Sequence, residues 1–298
     1  MPEAQKCLSL LFLVYVLSCA WLPAQTALPR DEMASIIADM REARTDPARL
    51  GQHERLKSVW REYLSEASLE EALHFEPQNL SSMMGVISGG KDEREIRVLS
   101  WNVELADRTH RYGGFIITTE GWTELSQDER LDLDDGRDTQ RRYKPEDWPG
   151  AIYYEVVVRT FKRNTTYLLL GWQGADATTT RKVIESLDIN RGRVRFGAPV
   201  LEVDGRRTKR HHLVYGDAVS AALRHEPNAN RIVMDHLSPP SPDLEGLYAY
   251  YGPDFSYDAF VWRKNVWVLE PDVRVADPNL NKPWIDPKPR RRRKGGRD

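Results

Sequence analysis

The stretch Leu244–Val273 constrains the fold more than any other. It contains Tyr248, Tyr250, Tyr251, Phe255, Tyr257, Phe260, Trp262 and Trp267, with Gly252-Pro253 and the acids Glu245, Asp254 and Asp258 among them. Its end spells a tight hairpin. Val261-Trp262-Arg263 and Val266-Trp267-Val268 flank the two-residue turn Lys264-Asn265, and Asn tolerates positive φ. Counting outward from that turn, Arg263 faces Val266 and Trp262 faces Trp267. Directly opposed residues share a face of the sheet, so the two indoles are expected to stack as a cross-strand pair. Such a pair contributes about 0.5–1.5 kcal/mol beyond its buried area. The face carrying Arg263 and Val266 is expected to be the wetter one.

Strand signals extend well beyond this hairpin. Ile96, Val98 and Leu99 lead to Trp101, and Tyr112 to Thr118 follows a turn at Asp107-Arg108. Segments 152–160 and 165–172 read as a hairpin, as do 183–189 and 194–196 around Asn190-Arg191-Gly192. Further strands are expected at 198–203, 210–215, 219–225, 231–235 and 247–251. Many short strands with regular turn signals point to a mainly β fold. The expected form is an antiparallel meander, sandwich- or barrel-like, with an irregular propeller as the alternative. The polar segment Glu120–Pro149 reads as an exposed insertion.

Residues 29–76 read as helical instead. Asp46-Pro47 suits a helix start, with Asp as N-cap and Pro at the first position. Leu56, Val59, Trp60, Tyr63 and Leu64 then make one apolar stripe, expected to pack on the β body. Ser68-Leu69-Glu70-Glu71 has capping-box spacing and opens a short helix that ends before Pro77.

The two ends have different compositions. Lys6, the apolar run Cys7–Ala20 and the small residues up to Ala24 follow the order of an export signal. The run is too short to be read as a membrane span. Cleavage is expected after Ala24, leaving a periplasmic or secreted protein that begins at Gln25. The rival is a lipobox, Val16-Leu17-Ser18-Cys19, with the mature protein anchored through Cys19. Both cysteines, Cys7 and Cys19, lie in this leader, so a chain cut after Ala24 has no disulfide, thiolate ligand or cysteine nucleophile. The far end, Pro283 to Arg297, is rich in Pro and Arg and reads as a disordered tail. The expected divisions are therefore a signal at 1–24, a helical segment at 25–80, a β domain at 81–275 and a tail at 276–298.

Net charge is −2, which offers no case for specific nucleic-acid binding. Asp132-Leu133-Asp134-Asp135-Gly136 suggests a calcium loop. With Gly136 at loop position six, however, Leu131, Leu133 and Arg142 fall where oxygen ligands belong. No zinc spacing occurs, and adjacent His211 and His212 on a strand must face opposite ways. No metal or cofactor is expected. Nucleophile-elbow, Walker and dinucleotide motifs are absent.

Two sites remain as candidates. Asp235-His236, close to Asp254 or Asp258, could form an acid/base set, and a pair of carboxylates about 5–10 Å apart would make a glycosidase. The alternative is a ligand face built from Tyr248, Tyr251, Asp254, Tyr257 and Asp258. Rings there would stack on sugar faces and carboxylates would accept hydroxyl hydrogen bonds. The blander reading of the same residues is a core with a capped turn.

The segments Val98-Leu99-Ser100-Trp101-Asn102-Val103, Tyr167-Leu168-Leu169-Leu170-Gly171-Trp172, Arg195-Phe196-Gly197-Ala198-Pro199-Val200, Asp235-His236-Leu237-Ser238-Pro239 and Tyr251–Trp262 together resemble a family of uncharacterised exported proteins of Gram-negative bacteria. The resemblance spans roughly residues 80–275. It implies export and a bacterial source, and it carries no activity, ligand or catalytic residue. The expected function is thus an exported, non-enzymatic envelope protein that binds a glycan or a protein partner. The alternative is a hydrolase acting on cell-envelope polysaccharide.

Overall fold

A computed structural model describes residues 26–127, 138–162 and 164–275. The expected signal, the basic tail and the Asp132–Gly136 loop lie outside these residues. Strands take 46% and helices, 3-10 turns included, 26% of the described residues, so the protein is mainly β with antiparallel sheets and a helical N-terminal segment. No closed barrel forms among the described residues. Among the described residues, no helix is long and apolar enough to cross a membrane.

Among the described residues, three helices come first: α1 (Arg30–Glu42), α2 (Asp46–Glu66) and α3 (Leu69–His74). Thr45, not Asp46, is the N-cap of α2, and Pro47 lies one position further in than expected. The Asp46 carboxylate instead accepts the backbone N–H of Ala106, joining the start of α2 to the next sheet (2.9 Å). The capping box of α3 forms as its spacing predicts. Ser68 Oγ accepts the Glu71 N–H, and the Glu71 carboxylate accepts the Ser68 N–H.

The first sheet runs β1 (Gly85–Gly89), β2 (Ile96–Glu104), β3 (His110–Thr118), β4 (Gly121–Ser126) in that order. The next strands are β5 (Ile152–Phe161), β6 (Asn164–Gly174), β7 (Thr179–Asn190), β8 (Arg193–Phe196), β9 (Leu201–Val203), β10 (Arg206–Thr208) and β11 (Arg210–Gly216). The last four are β12 (Leu223–Glu226), β13 (Arg231–Ser238), β14 (Gly252–Arg263) and β15 (Val266–Glu270). A second sheet has the order β11-β7-β6-β5, with β8 on the far half of β7. A third has the order β10-β9-β15-β14-β13-β12. Its β9–β15 pair is parallel, a departure from the expected all-antiparallel meander.

Three buried clusters show how these parts stack. Leu56, Trp60, Tyr63 and Leu64 of α2 meet Leu99, Trp101, Val103, Phe115 and Ile117 of the first sheet. The opposite side of that sheet, with Ile96, Val98, Tyr112 and Ile116, meets Tyr153, Tyr167, Leu169 and Val183 of the second. The other side of the second sheet, with Leu168, Leu170, Ile184 and Leu213, meets Ile232, Met234, Phe260 and Trp267 of the third. The order is helices, then three sheets. Successive side chains on a strand point to opposite faces. A sheet covered on both faces therefore needs unbroken apolar runs, and Leu168-Leu169-Leu170 is one, each residue at most 1% exposed.

Two glycines allow close approaches. A Cβ on Gly85 would lie 2.3 Å from the Tyr153 carbonyl oxygen, where β1 crosses β5. A Cβ on Gly113 would strike the Trp101 indole that lies across it at 2.4 Å.

Several sequence expectations need correction. Glu120–Pro149 is no exposed insertion in its described parts. It supplies β4, then buries Asp138, Tyr143 and Trp148 at 1%, 3% and 0% exposure. Segment 247–251 is a 3-10 turn at Tyr248–Tyr250, not a strand, because the Tyr250 and Tyr251 N–H groups donate back to the Leu247 and Tyr248 carbonyls instead of to a neighbouring strand. The expected strands at 198–203 and 219–225 shorten to β9 and β12. In the hairpin, Arg263 is exposed but Val266 is buried, so that face is only partly wet.

Candidate functional site

The aromatic stretch reaches the surface at the start of β14. Gly246, at φ 83, turns the chain, and its N–H donates to Tyr251 Oη (3.0 Å). Gly216 at the end of β11 donates to the Tyr251 carbonyl (3.0 Å), which holds the 3-10 turn against the second sheet. Tyr248 and Tyr251 rings lie 5.1 Å apart, tilted by 53°. Leu247, Tyr248 and Tyr250 are all exposed.

The strand then breaks register. Gly252 pairs with Ser238 and Pro253 with Leu237, and the next aligned pair is Tyr257 with Asp235. Residues 254–256 therefore oppose His236 alone, a bulge with two extra residues. Asp254 closes it: its Oδ1 accepts the Ser256 N–H (3.0 Å) and the Ser256 hydroxyl (2.7 Å). Phe255, between them, has φ 70 and is 92% exposed. A bulky residue in the left-handed region costs on the order of 1–3 kcal/mol, and burying a Phe would gain about 1.5–3 kcal/mol. This ring therefore pays the first cost and forgoes the second.

His236 projects from β13 toward the bulge. Its Nδ1 donates to Asp258 Oδ2 (2.9 Å), and its Nε2 is 3.9 Å from Asp254 Oδ2. The other Asp258 oxygen accepts the Asp272 N–H (3.1 Å). The bond to Asp258 and the nearby acids raise the His236 pKa above its ordinary value, against partial desolvation. The hydroxyl and N–H of Ser256 lower the Asp254 pKa.

Of the residues expected to form the site, Asp254 and Asp258 come together around His236, and Tyr248 contacts Tyr251. Tyr257 alternates to the opposite face of β14 from Asp258 and stands apart from the histidine. Phe255 is the residue sequence reasoning did not single out. No local signal marks it, because its exposure depends on a register break set by β13.

Elsewhere a charged network is sealed inside. Arg210 Nε and Nη2 donate to the two Glu185 oxygens (2.9 and 3.0 Å), and Nη1 donates to Asp138 Oδ1 (3.0 Å). Tyr143 Oη and His212 Nε2 also donate to Asp138, and the guanidinium lies over the Tyr143 ring (4.3 Å). Burial pushes Glu185 up to about 7 against the pull of Arg210. Burial also lifts Asp138, but the bonds from His212 and the charge of Arg210 outweigh it and hold that carboxyl low. With Arg210 and Glu185 at zero and 2% side-chain exposure, this network anchors structure and offers no access to a substrate. His211 turns the other way, onto Phe260 (5.1 Å), as strand alternation requires. Among the described residues, no group of three or more His, Cys, Asp or Glu is placed to hold a metal. Two clefts, of about 800 and 520 Å³, border the helical segment and include none of the residues around His236.

No protein-family model, curated protein or solved structure matches this chain.

Proposed function

We propose that the protein is an exported envelope protein whose β body binds a glycan at the bulge of β14, where Phe255 lies beside Asp254, His236 and Asp258. The observation that carries this reading is Phe255. It is 92% exposed on a backbone at φ 70, where it contributes nothing to the core. An open ring offers a stacking surface for the apolar face of a pyranose. The adjacent carboxylates and imidazole are suited to accept and donate hydrogen bonds to hydroxyls.

Hydrolysis is the weaker alternative. A glycosidase needs room for the sugar between its carboxylates and an acid whose pKa is raised. Here an imidazole occupies the gap between Asp254 and Asp258, and Asp254 is shifted down.

Export rests on the leader. N-terminal sequencing of protein recovered from the periplasm or medium should begin at Gln25. An intact Met1 on cytoplasmic protein would overturn export, and a lipid on Cys19 would replace the soluble form with an anchored one. For binding, a glycan array should yield a neutral or amine-bearing saccharide. Phe255→Ala should weaken that interaction at least about tenfold, or about 1.4 kcal/mol, with the melting temperature unchanged. Equal affinity of wild type and Phe255→Ala would remove the ring from the site.

A further inference from the structure

His236 stands where the two halves of the bulge meet. It faces Asp254 and Asp258 on β14 and is within electrostatic reach of Asp272, just past β15. On β13, neighbouring Asp235 turns to the opposite face and accepts the Ala222 N–H. From β11, His211 is within electrostatic reach of Asp258, and burial keeps it neutral by pushing it down to about 4. Three carboxylates therefore share one nearby imidazole.

We propose that His236 is the positioning residue of this face. Its imidazolium clasps Asp254 to Asp258, holds the bulge closed, and so presents Phe255 to the ligand only while His236 carries its proton. The ligand part of this proposal rests on the glycan-binding reading; the clasp does not.

The geometry supplies the mechanism. Neutral imidazole keeps one N–H for Asp258 but loses its charge, which is what attracts Asp254 across 3.9 Å. Asp254 stays ionised throughout, because Ser256 holds its pKa down. Loss of the proton then leaves the carboxylates facing one another without a counter-charge, and Asp254, still bonded to Ser256, is no longer drawn to β13, so the bulge loosens from its neighbouring strand. The sign follows from linkage. His236 has a folded pKa raised above its unfolded value, so the clasp is complete below about 6.5 and is lost as pH rises through the folded pKa.

Chymotrypsin reads the bulge without any ligand, because it cuts after an exposed Phe only when the local backbone opens. Cleavage at Phe255–Ser256 is followed by mass spectrometry at about pH 6 and about pH 8.5, with each rate normalised to a disordered Phe-containing peptide at the same pH. Normalised cleavage of the wild type should rise about fivefold or more between the two. His236→Gln, checked for an unchanged melting temperature, should be cut quickly at both pH values. His236→Lys, charged throughout, should stay slow at both. Equal wild-type rates at the two pH values, including none at either, overturn the clasp, as does His236→Gln behaving like wild type. Affinity for the array saccharide should fall in parallel with rising pH. If no saccharide binds at either pH while cleavage changes as expected, the glycan reading fails and the clasp stands.

Discussion

At residue scale the protein's buried charge is concentrated on Arg210. The direct cross-strand partner of Arg210 is Glu185, and the fork geometry of its guanidinium matches both carboxylate oxygens. Removing the cation would leave Glu185 and Asp138 buried without a counter-charge. Arg210→Ala should therefore cost about 3–5 kcal/mol in denaturant unfolding, the usual result of breaking one side of a buried pair. A cost below about 1 kcal/mol would mean that water reaches the network. His53 illustrates the opposite case. Its Nδ1 accepts the Trp101 indole N–H (3.0 Å), which requires a neutral ring, and burial lowers its pKa to about 4. His211 is lowered to about 4 as well. Both folded pKa values lie below the unfolded value, so their stabilising contribution is present above about 6.5 and is lost as pH falls toward 4. Between those limits each histidine should remove about 1.4 kcal/mol per pH unit at most. His53→Gln, whose side-chain oxygen can still accept from Trp101, should flatten the acid limb of the melting curve. An unchanged slope would show that His53 titrates normally.

At the scale of elements, the β14–β15 hairpin behaves as a local unit. Its turn residues Lys264 and Asn265 have φ 46 and 69, and Trp262 pairs with Trp267 at 5.3 Å between ring centroids. Trp267 is 1% exposed and also meets Arg159, 5.0 Å above its ring. Trp262 is only half-buried. Trp267→Ala should therefore cost about 3–5 kcal/mol and Trp262→Ala distinctly less. Lys264→Gly should be neutral or mildly stabilising, because glycine accepts positive φ without strain. Equal losses at the two tryptophans would place both indoles in the same degree of burial. The α3 capping box is a second local unit, and Ser68→Ala should cost about 1 kcal/mol. Both devices were legible in the sequence because the interacting residues are neighbours in the chain.

At the scale of the whole molecule, the helical segment acts as the outer wall of a core. Leu99, Trp101, Val103, Phe115 and Ile117 all face it. A chain lacking residues 26–82 would expose that entire sheet face, a patch that soluble monomers rarely tolerate. It should aggregate or bind a hydrophobic dye strongly when the intact chain does not. A truncated chain that stayed monomeric with native near-ultraviolet dichroism would show that the β body folds without its helices.

Residue order alone determined what short-range geometry controls. The helix stripe ending in Tyr63-Leu64, the Ser68 box, the Trp262–Trp267 register and the opposed directions of His211 and His212 follow from periods of 3.6 and 2 or from a two-residue turn. The meeting of Asp258 with His236 was open to the sequence as a suggestion, since both lie on strands joined in succession. Tertiary structure decided the rest. Arg210 meets Glu185 because β11 returns to pair with β7, and Asp138 is buried because a polar segment is drawn under that pair. The parallel β9–β15 pair joins strands more than sixty residues apart in the chain. Phe255 reaches solvent because β13 offers a single residue against three of β14. Each of these depends on which strands become neighbours, and pairing between distant strands is set by how whole faces bury one another, a quantity that no local window contains.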